Sequence, residues 1–177
     1  MPPPPLPTLT DGWSVRPADP DGFDLDLVHG WMRSPHVAAF WNQAWSRKRW
    51  EAELRGQLAG AHSLPCLVSR DDDPVLYLEI YRVARDRVAR CYPAAPHDLG
   101  LHVAIGEAAM TGRGLVRSLL PILVSALFET DPKCARVVLE PDVRNKRAIA
   151  SFQAGGFSIS GEITLPDKTA LLMVCER

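Results

Sequence analysis

His102, in the stretch DLGLHVAI (98–105), carries an imidazole whose ordinary pKa of about 6.5 suits it to take a proton from an amine near neutrality. A lone strand histidine is more often simply hydrogen-bonded within its sheet, and the residues alone leave both roles open. Asp142, closing Glu140-Pro141-Asp142, fits three roles: orienting that imidazole, meeting a substrate ammonium, or forming an Asx turn before Val143. Glu79 and Tyr81 stand two residues apart in VLYLEIY (75–81), hence on one face of a strand. A carboxylate among apolar neighbours either reaches solvent or meets a cation, an arginine or a bound amino-acid ammonium, because burying it unpaired is costly. Trp31, His36, Trp41 and Trp45 crowd into residues 31–45; such density suits a core more often than a site.

A different chemistry belongs to Thr111-Gly112-Arg113-Gly114, where an alternating strand gives way to a long apolar-faced helix. A helix start has unpaired N–H groups and a partial positive charge; glycines let the backbone approach an anion there, and Arg113 adds a cation. The alternative is a tight turn with no ligand.

The elements that must position these residues follow from periodicity. Residues 13–18 alternate as a first strand, and helical spacing covers 24–33 (Leu27, Trp31) and 46–59 (Trp50, Leu54, Leu58). Alternation at Leu64, Cys66, Val68 and again at Val75, Tyr77, Glu79, Tyr81, split by Asp71-Asp72-Asp73-Pro74, predicts a hairpin. Then come a strand at 98–105, a helix over about 113–129 that Pro121 should kink or leave with one unpaired carbonyl, and a buried strand at 136–140. A short helix at 145–154 closes at Gly155-Gly156, and FSISGEI and TALLMVC end the chain as two strands. An apolar last strand at a sheet edge would invite pairing with another chain. Asp98 and Arg136 read as solvated strand ends, and residues 1–12 as a loose proline-rich leader to a single domain over 13–177.

Composition excludes several classes. Of the 177 residues 46% are apolar and 23% charged, as in a globular domain, and 20 basic against 21 acidic residues argue against a nucleic-acid binder. Cys66, Cys91, Cys134 and Cys175 show no metal-ligand spacing, so no metal is expected, and three of them read as buried free thiols. MPPPPLP lacks the regions of a signal peptide and no apolar run is long enough to span a membrane, so a cytoplasmic location is expected.

The strand–Gly-x-Gly–helix, followed by a second strand, Asn145, a short helix and Gly156-Phe157, resembles the GCN5-related N-acetyltransferases (GNAT). The resemblance implies an α/β (α+β) fold: a mixed, mostly antiparallel sheet of about seven strands, splayed between the fourth and fifth, flanked by about four helices. Acyl-coenzyme A would lie across that splay. The family's pyrophosphate loop reads Gln/Arg-x-x-Gly-x-Gly/Ala; Gly112 and Gly114 match it, with Thr111 and Arg113 in the loop, while Ala109 replaces the leading polar residue. Asn145 would contact the pantetheine arm, and a backbone N–H between Val103 and Ile105 would polarise the thioester carbonyl. Where many members place a tyrosine to protonate the leaving thiolate, this chain has Phe152, which cannot donate a proton.

Four stretches, WMRSPHVAAFWNQAW, YLEIYRVARD, DLGLHVAIG and VVLEPDVRN, are similar to the siderophore-biosynthesis branch of the superfamily, whose members acylate the side-chain amine of lysine or N6-hydroxylysine. The resemblance implies His102 as the catalytic base, with Asp142 as the catalytic candidate beside it, and places His36 and Trp41 in the cover of an amine acceptor near Glu79 and Tyr81; that acceptor is lysine, N6-hydroxylysine or hydroxyornithine. The donor is acetyl-CoA or a longer acyl-CoA, with an acyl carrier protein or siderophore synthetase as possible partner. An aminoglycoside 6'-N-acetyltransferase ranks lower, because the acidic residues visible near the site, Glu79 and Asp142, are few for a polycation. Ala109 and Phe152 keep open a catalytically silent module that binds CoA or acyl carriers.

Overall fold

A computed structural model describes residues 2–177. Strand β1 (Trp13–Pro17) leads to α1 (Gly22–Arg33), which buries Leu25, Val28, Trp31 and Met32. Helix α3 (Arg47–Ala59) opens on Ser46, whose side chain accepts from the Arg49 N–H, and buries Trp50 and Leu54, one turn apart. Asp71 and Asp72 both take positive φ, 49° and 70°, as a two-residue type I′ turn demands. They join β2 (Ser63–Arg70) to β3 (Asp73–Arg82). Strand β4 (Leu99–Ile105) then feeds α4 (Leu115–Thr130). Leu119, Leu120, Leu123 and Leu127 are wholly buried along α4, each contributing roughly 1.5–3 kcal/mol of apolar burial. The helix runs through Pro121; the carbonyl that proline cannot serve, that of Arg117, belongs to an exposed residue. Strand β5 (Arg136–Leu139), helix α5 (Lys146–Ala154), and strands β6 (Ser158–Leu165) and β7 (Lys168–Glu176) complete the fold.

The seven strands form one sheet in the order β1-β2-β3-β4-β5-β7-β6. Every neighbouring pair is antiparallel except β4–β5, which pair in parallel through Leu99–Val137 and Gly100–Val138 alone. Beyond those rungs the two strands part, while β4 stays paired to β3 as far as Ile105. One core lies between the sheet and α4 with α5, another under α1 and α3 around Trp31, Trp50 and Tyr77.

Five expectations change. A fifth helix, α2 (Pro35–Trp41), occupies the aromatic segment. Only Val37 in it is buried, so it shows no apolar stripe, although Pro35 at its first turn and Asn42 in the left-handed conformation after it are helix signals. The last strand, β7, lies between β5 and β6, and the mostly exposed β6 is the edge; an apolar run such as TALLMVC fits a strand covered on both faces. The leader is docked rather than loose: buried Arg82 donates to the carbonyls of Pro2 and Pro3 (3.2 and 3.1 Å) and pairs with Asp131 at 2.6 Å. Asp98 is fully buried, pairs with Arg136 at 2.9 Å, and accepts from the Tyr92 hydroxyl and the Ala95 N–H. It is an anchor under the loop before β4 rather than a solvated strand end. Of the cysteines, Cys66 and Cys134 are buried, while Cys91 and Cys175 are partly exposed.

Candidate active site

The parting of β4 from β5 leaves two cavities that meet at the gap. One, of about 270 Å³, holds His102, Glu79, Glu140 and Tyr81; the other, of about 400 Å³, runs past Ile105, Gly112 and Val116. Six residues line both: Phe40, Trp41, Val103, Asn145, Ala148 and Phe152.

In the first cavity His102 is held between two buried carboxylates. Its Nδ1 lies 2.8 Å from Glu79 Oε2 and its Nε2 2.6 Å from Glu140 Oε1. Register explains the first contact, since Glu79 on β3 stands directly opposite His102 on β4. The other Glu79 oxygen accepts from Tyr77 Oη and Gln57 Nε2, both at 3.0 Å. Glu140 follows directly on β5; Lys168, at the start of β7, pairs with its carboxylate and donates to its backbone carbonyl at 2.6 Å. Burial works against charge on His102, but Glu140 first and then Glu79 outweigh it and raise its pKa to about 10. Burial likewise opposes the Glu140 and Glu79 carboxylates, and the facing imidazolium, with Lys168 at Glu140, holds both below the ordinary carboxylate range. The ring keeps 32% of its surface exposed, so it still faces the cavity.

Aromatic walls fix the ring's position. Tyr81 packs against His102 at 4.7 Å between centroids and Trp41 meets it edge-on at 5.9 Å. Gly100 is required by this stacking, since a Cβ there would fall 2.0 Å from the Tyr81 ring.

Asp142 takes none of this network. Its Oδ1 accepts from the Arg144 N–H at 2.8 Å, an Asx turn, and the Arg144 guanidinium brackets the same carboxylate, lowering its pKa to about 2. The carboxylate that reaches His102 is Glu140, two residues earlier. The sequence held a signal for it, because a glutamate ending a buried strand incurs the same cost that singled out Glu79. Glu79 in turn is met by His102 rather than by an arginine. His36 points elsewhere too: its Nε2 lies 2.9 Å from the Ile105 carbonyl, tying α2 to the end of β4.

The second cavity is built from backbone. Gly106 N–H bonds the Val75 carbonyl on β3, so strand alternation turns the N–H groups of Val103 and Ile105 away from β3, toward the gap. Gly112 and Gly114 take φ of +76° and +77°, and Gly114 caps α4 in the left-handed conformation that glycine adopts without strain. Thr111 Oγ1 accepts from Arg147 at 3.2 Å, which brings the basic start of α5 beside that turn. Asn145 caps α5, accepting from Ala148 N–H at 3.2 Å, and keeps its amide donors. Arg113 is exposed at the turn. A turn of glycines at the start of a 16-residue helix, free strand amides and nearby cations are the donor set that a pyrophosphate on a pantetheine arm needs.

Residues 21–165 match the model of the acetyltransferase (GNAT) domain. The chain belongs to the GNAT family. Over all 177 residues it is 37% identical to the lysine N-acyltransferase MbtK of Mycobacterium sp. (strain MCS), covering 72% of that protein. It is 35% identical over 93% of its length to the N(6)-hydroxylysine O-acetyltransferase of Escherichia coli, covering 52% of that protein. An uncharacterized protein from Bacillus halodurans superposes with a TM-score of 0.89 at 32% identity, covering 99% of this chain and 92% of the other. AAC(6')-Ib bound to an aminoglycoside and acetyl-CoA superposes at 0.83 over 94% of each chain; at 24% identity that likeness speaks for the fold alone. This GNAT chain is accordingly an acyltransferase, and its splayed seven-stranded sheet is the one the sequence implied. Five α-helices flank it rather than about four.

Proposed function

We propose that the protein transfers an acyl group from acyl-CoA to the side-chain amine of lysine, N6-hydroxylysine or hydroxyornithine in siderophore biosynthesis. The observation that carries the chemistry is the His102 ring clamped by Glu79 and Glu140 at the mouth of the β4–β5 gap. Relatives named for lysine, hydroxylysine and hydroxyornithine acyl transfer support the acceptor class. Acyl-CoA would lie in the second cavity, its pyrophosphate on the Gly112–Gly114 turn with Thr111 and Arg113, its pantetheine against Asn145, and its thioester oxygen on the Val103 or Ile105 N–H.

The amine nitrogen bonds to the acyl carbon, the carbon–sulfur bond breaks, and the proton lost by nitrogen ends on the thiolate. An alkylammonium has a pKa of about 10.4. Glu140 and Glu79 raise His102 to about 10, so near neutrality the ring is mostly imidazolium and its base form grows in through the alkaline range. The ammonium first releases one proton to solvent; as the neutral amine attacks, a His102 that has itself given up a proton takes the second and passes it to sulfur, a role Phe152 cannot fill, with Glu79 and Glu140 stabilising the transient imidazolium. Trp41 and Tyr81 position the ring and His36 holds the end of β4. Asp142 serves the acceptor pocket as a turn-forming wall.

The test is turnover of acetyl-, succinyl- and long-chain acyl-CoA, and of a carrier-bound acyl thioester, against the three amines. Transfer to at least one pair is expected, and transfer to none overturns the reading. Six carboxylates line the first cavity (Glu53, Glu79, Asp86, Glu140, Asp142, Asp167), more than the sequence disclosed. That acidity favours a cationic acceptor in general, so an aminoglycoside belongs in the same assay as the second reading. The expected site of action is the cytoplasm, where acyl-CoA is made.

A further inference from the structure

The acceptor cavity has two ends of different character. At the buried end every charge already has an internal partner: His102 lies between Glu79 and Glu140, and Lys168, 17% exposed, is bound to Glu140. At the open end Arg87 and Asp167 form a two-pronged ion pair, 2.6 and 3.1 Å, with 41% and 53% of their side chains exposed. Both line the same cavity as His102. The chain ties the ends together. Asp167 is the tip residue of the β6–β7 hairpin, directly before Lys168, and Arg87 follows Asp86, whose carboxylate is held by His62 and feels the charge of His102.

We infer that the Arg87–Asp167 pair reads the α-carboxylate and α-ammonium of a free amino acid, so that the acceptor is the unincorporated amino acid rather than a residue within a peptide. This rests on the acyl-transfer reading and assigns its specificity. Lysine, hydroxylysine and hydroxyornithine differ at the reacting nitrogen but share one head, a carboxylate and an ammonium on the same carbon. In a cavity lined by six carboxylates, an entering carboxylate needs a cation not already buried against a partner. Arg87 is that cation among the described lining residues, and its planar fork accepts a carboxylate through two parallel hydrogen bonds. Its displaced partner, Asp167, then faces the α-ammonium. An exposed ion pair contributes little by itself, so a zwitterion can enter it by exchanging partners at small cost. The side chain of the amino acid then extends from the rim toward His102.

Steady-state kinetics and calorimetric binding with lysine, lysinamide and Nα-acetyllysine test this, with the corresponding hydroxylated amines if those are the substrates. The wild type is expected to prefer the free amino acid over both analogues by about tenfold to a hundredfold, the range of a charge-assisted hydrogen bond. Arg87→Gln should raise KM for lysine by a similar factor, leave kcat within about threefold, and leave lysinamide unchanged; Arg87→Lys should recover part of the loss. Asp167→Asn should weaken lysine and lysinamide together and spare Nα-acetyllysine. A wild type that treats the three amines alike, or an Arg87→Gln variant that weakens lysine and lysinamide equally, overturns the inference. If no amine turns over but calorimetry shows a preference for lysine that Arg87→Gln abolishes, recognition stands and the acyl-transfer reading falls. If no amine turns over and binding does not discriminate among them, both fall.

Discussion

The two cavities on either side of the β4–β5 gap share six wall residues and are built on opposite principles. The donor side is local and made largely of backbone: a glycine turn, a helix start, two strand amides and an asparagine cap lie within short stretches of chain. The acceptor side is long-range and made of side-chain charge, joining His102 to carboxylates 23 and 38 residues away and, through Glu140, to Lys168. A backbone site binds by shape and dipole and tolerates side-chain change. A charge network sets protonation, and each member depends on the others.

The largest effect that would break or sharpen this contrast is a crossed pair of variants. His102→Ala should lower kcat/KM by at least about a hundredfold while leaving acyl-CoA binding intact, as for loss of a positioned base. Gly114→Ala, forced into positive φ, should raise KM for acyl-CoA several-fold with the amine KM unchanged. Steady-state constants for both co-substrates check this, and equal loss on both sides in either variant would mean that the cavities act as one unit.

A smaller effect concerns pH. Because burial is outweighed by Glu140 and Glu79, the neutral ring that takes a proton grows in as pH rises toward about 10, so kcat/KM should climb through the alkaline range rather than level off above 6.5. Glu79→Gln removes one carboxylate that raises this pKa, so the limb should move to lower pH, by about one unit for a lost charge partner. A wild-type limb near 6.5, or one that Glu79→Gln leaves in place, would show that the carboxylates do not set the base.

The smallest effect is expected at Asp142. Asp142→Asn keeps an oxygen to accept from the Arg144 N–H and leaves the His102 network untouched, so kcat should change by less than about threefold. A loss comparable to that of His102→Ala would return Asp142 to the catalytic group.

The sequence by itself determined what is periodic or local. The seven strands, four of the five helices, the hairpin at Asp71-Asp72 and the glycine turn before α4 each follow from alternation, 3.6-residue spacing or backbone conformations few residues adopt. Helix α2 escaped because a seven-residue helix burying one side chain has no period to detect. Tertiary structure alone decided who meets whom. Read on paper, Asp142 is the partner of His102; strand direction brings Glu140 to the ring instead and leaves Asp142 to its own turn. The same holds for Asp98 with Arg136, and for a leader that reads as loose until Arg82 is seen holding its carbonyls. The pKa of His102 belongs to this second class, since an imidazole's charge is set by carboxylates that folding places within hydrogen-bond distance, whatever their separation along the chain.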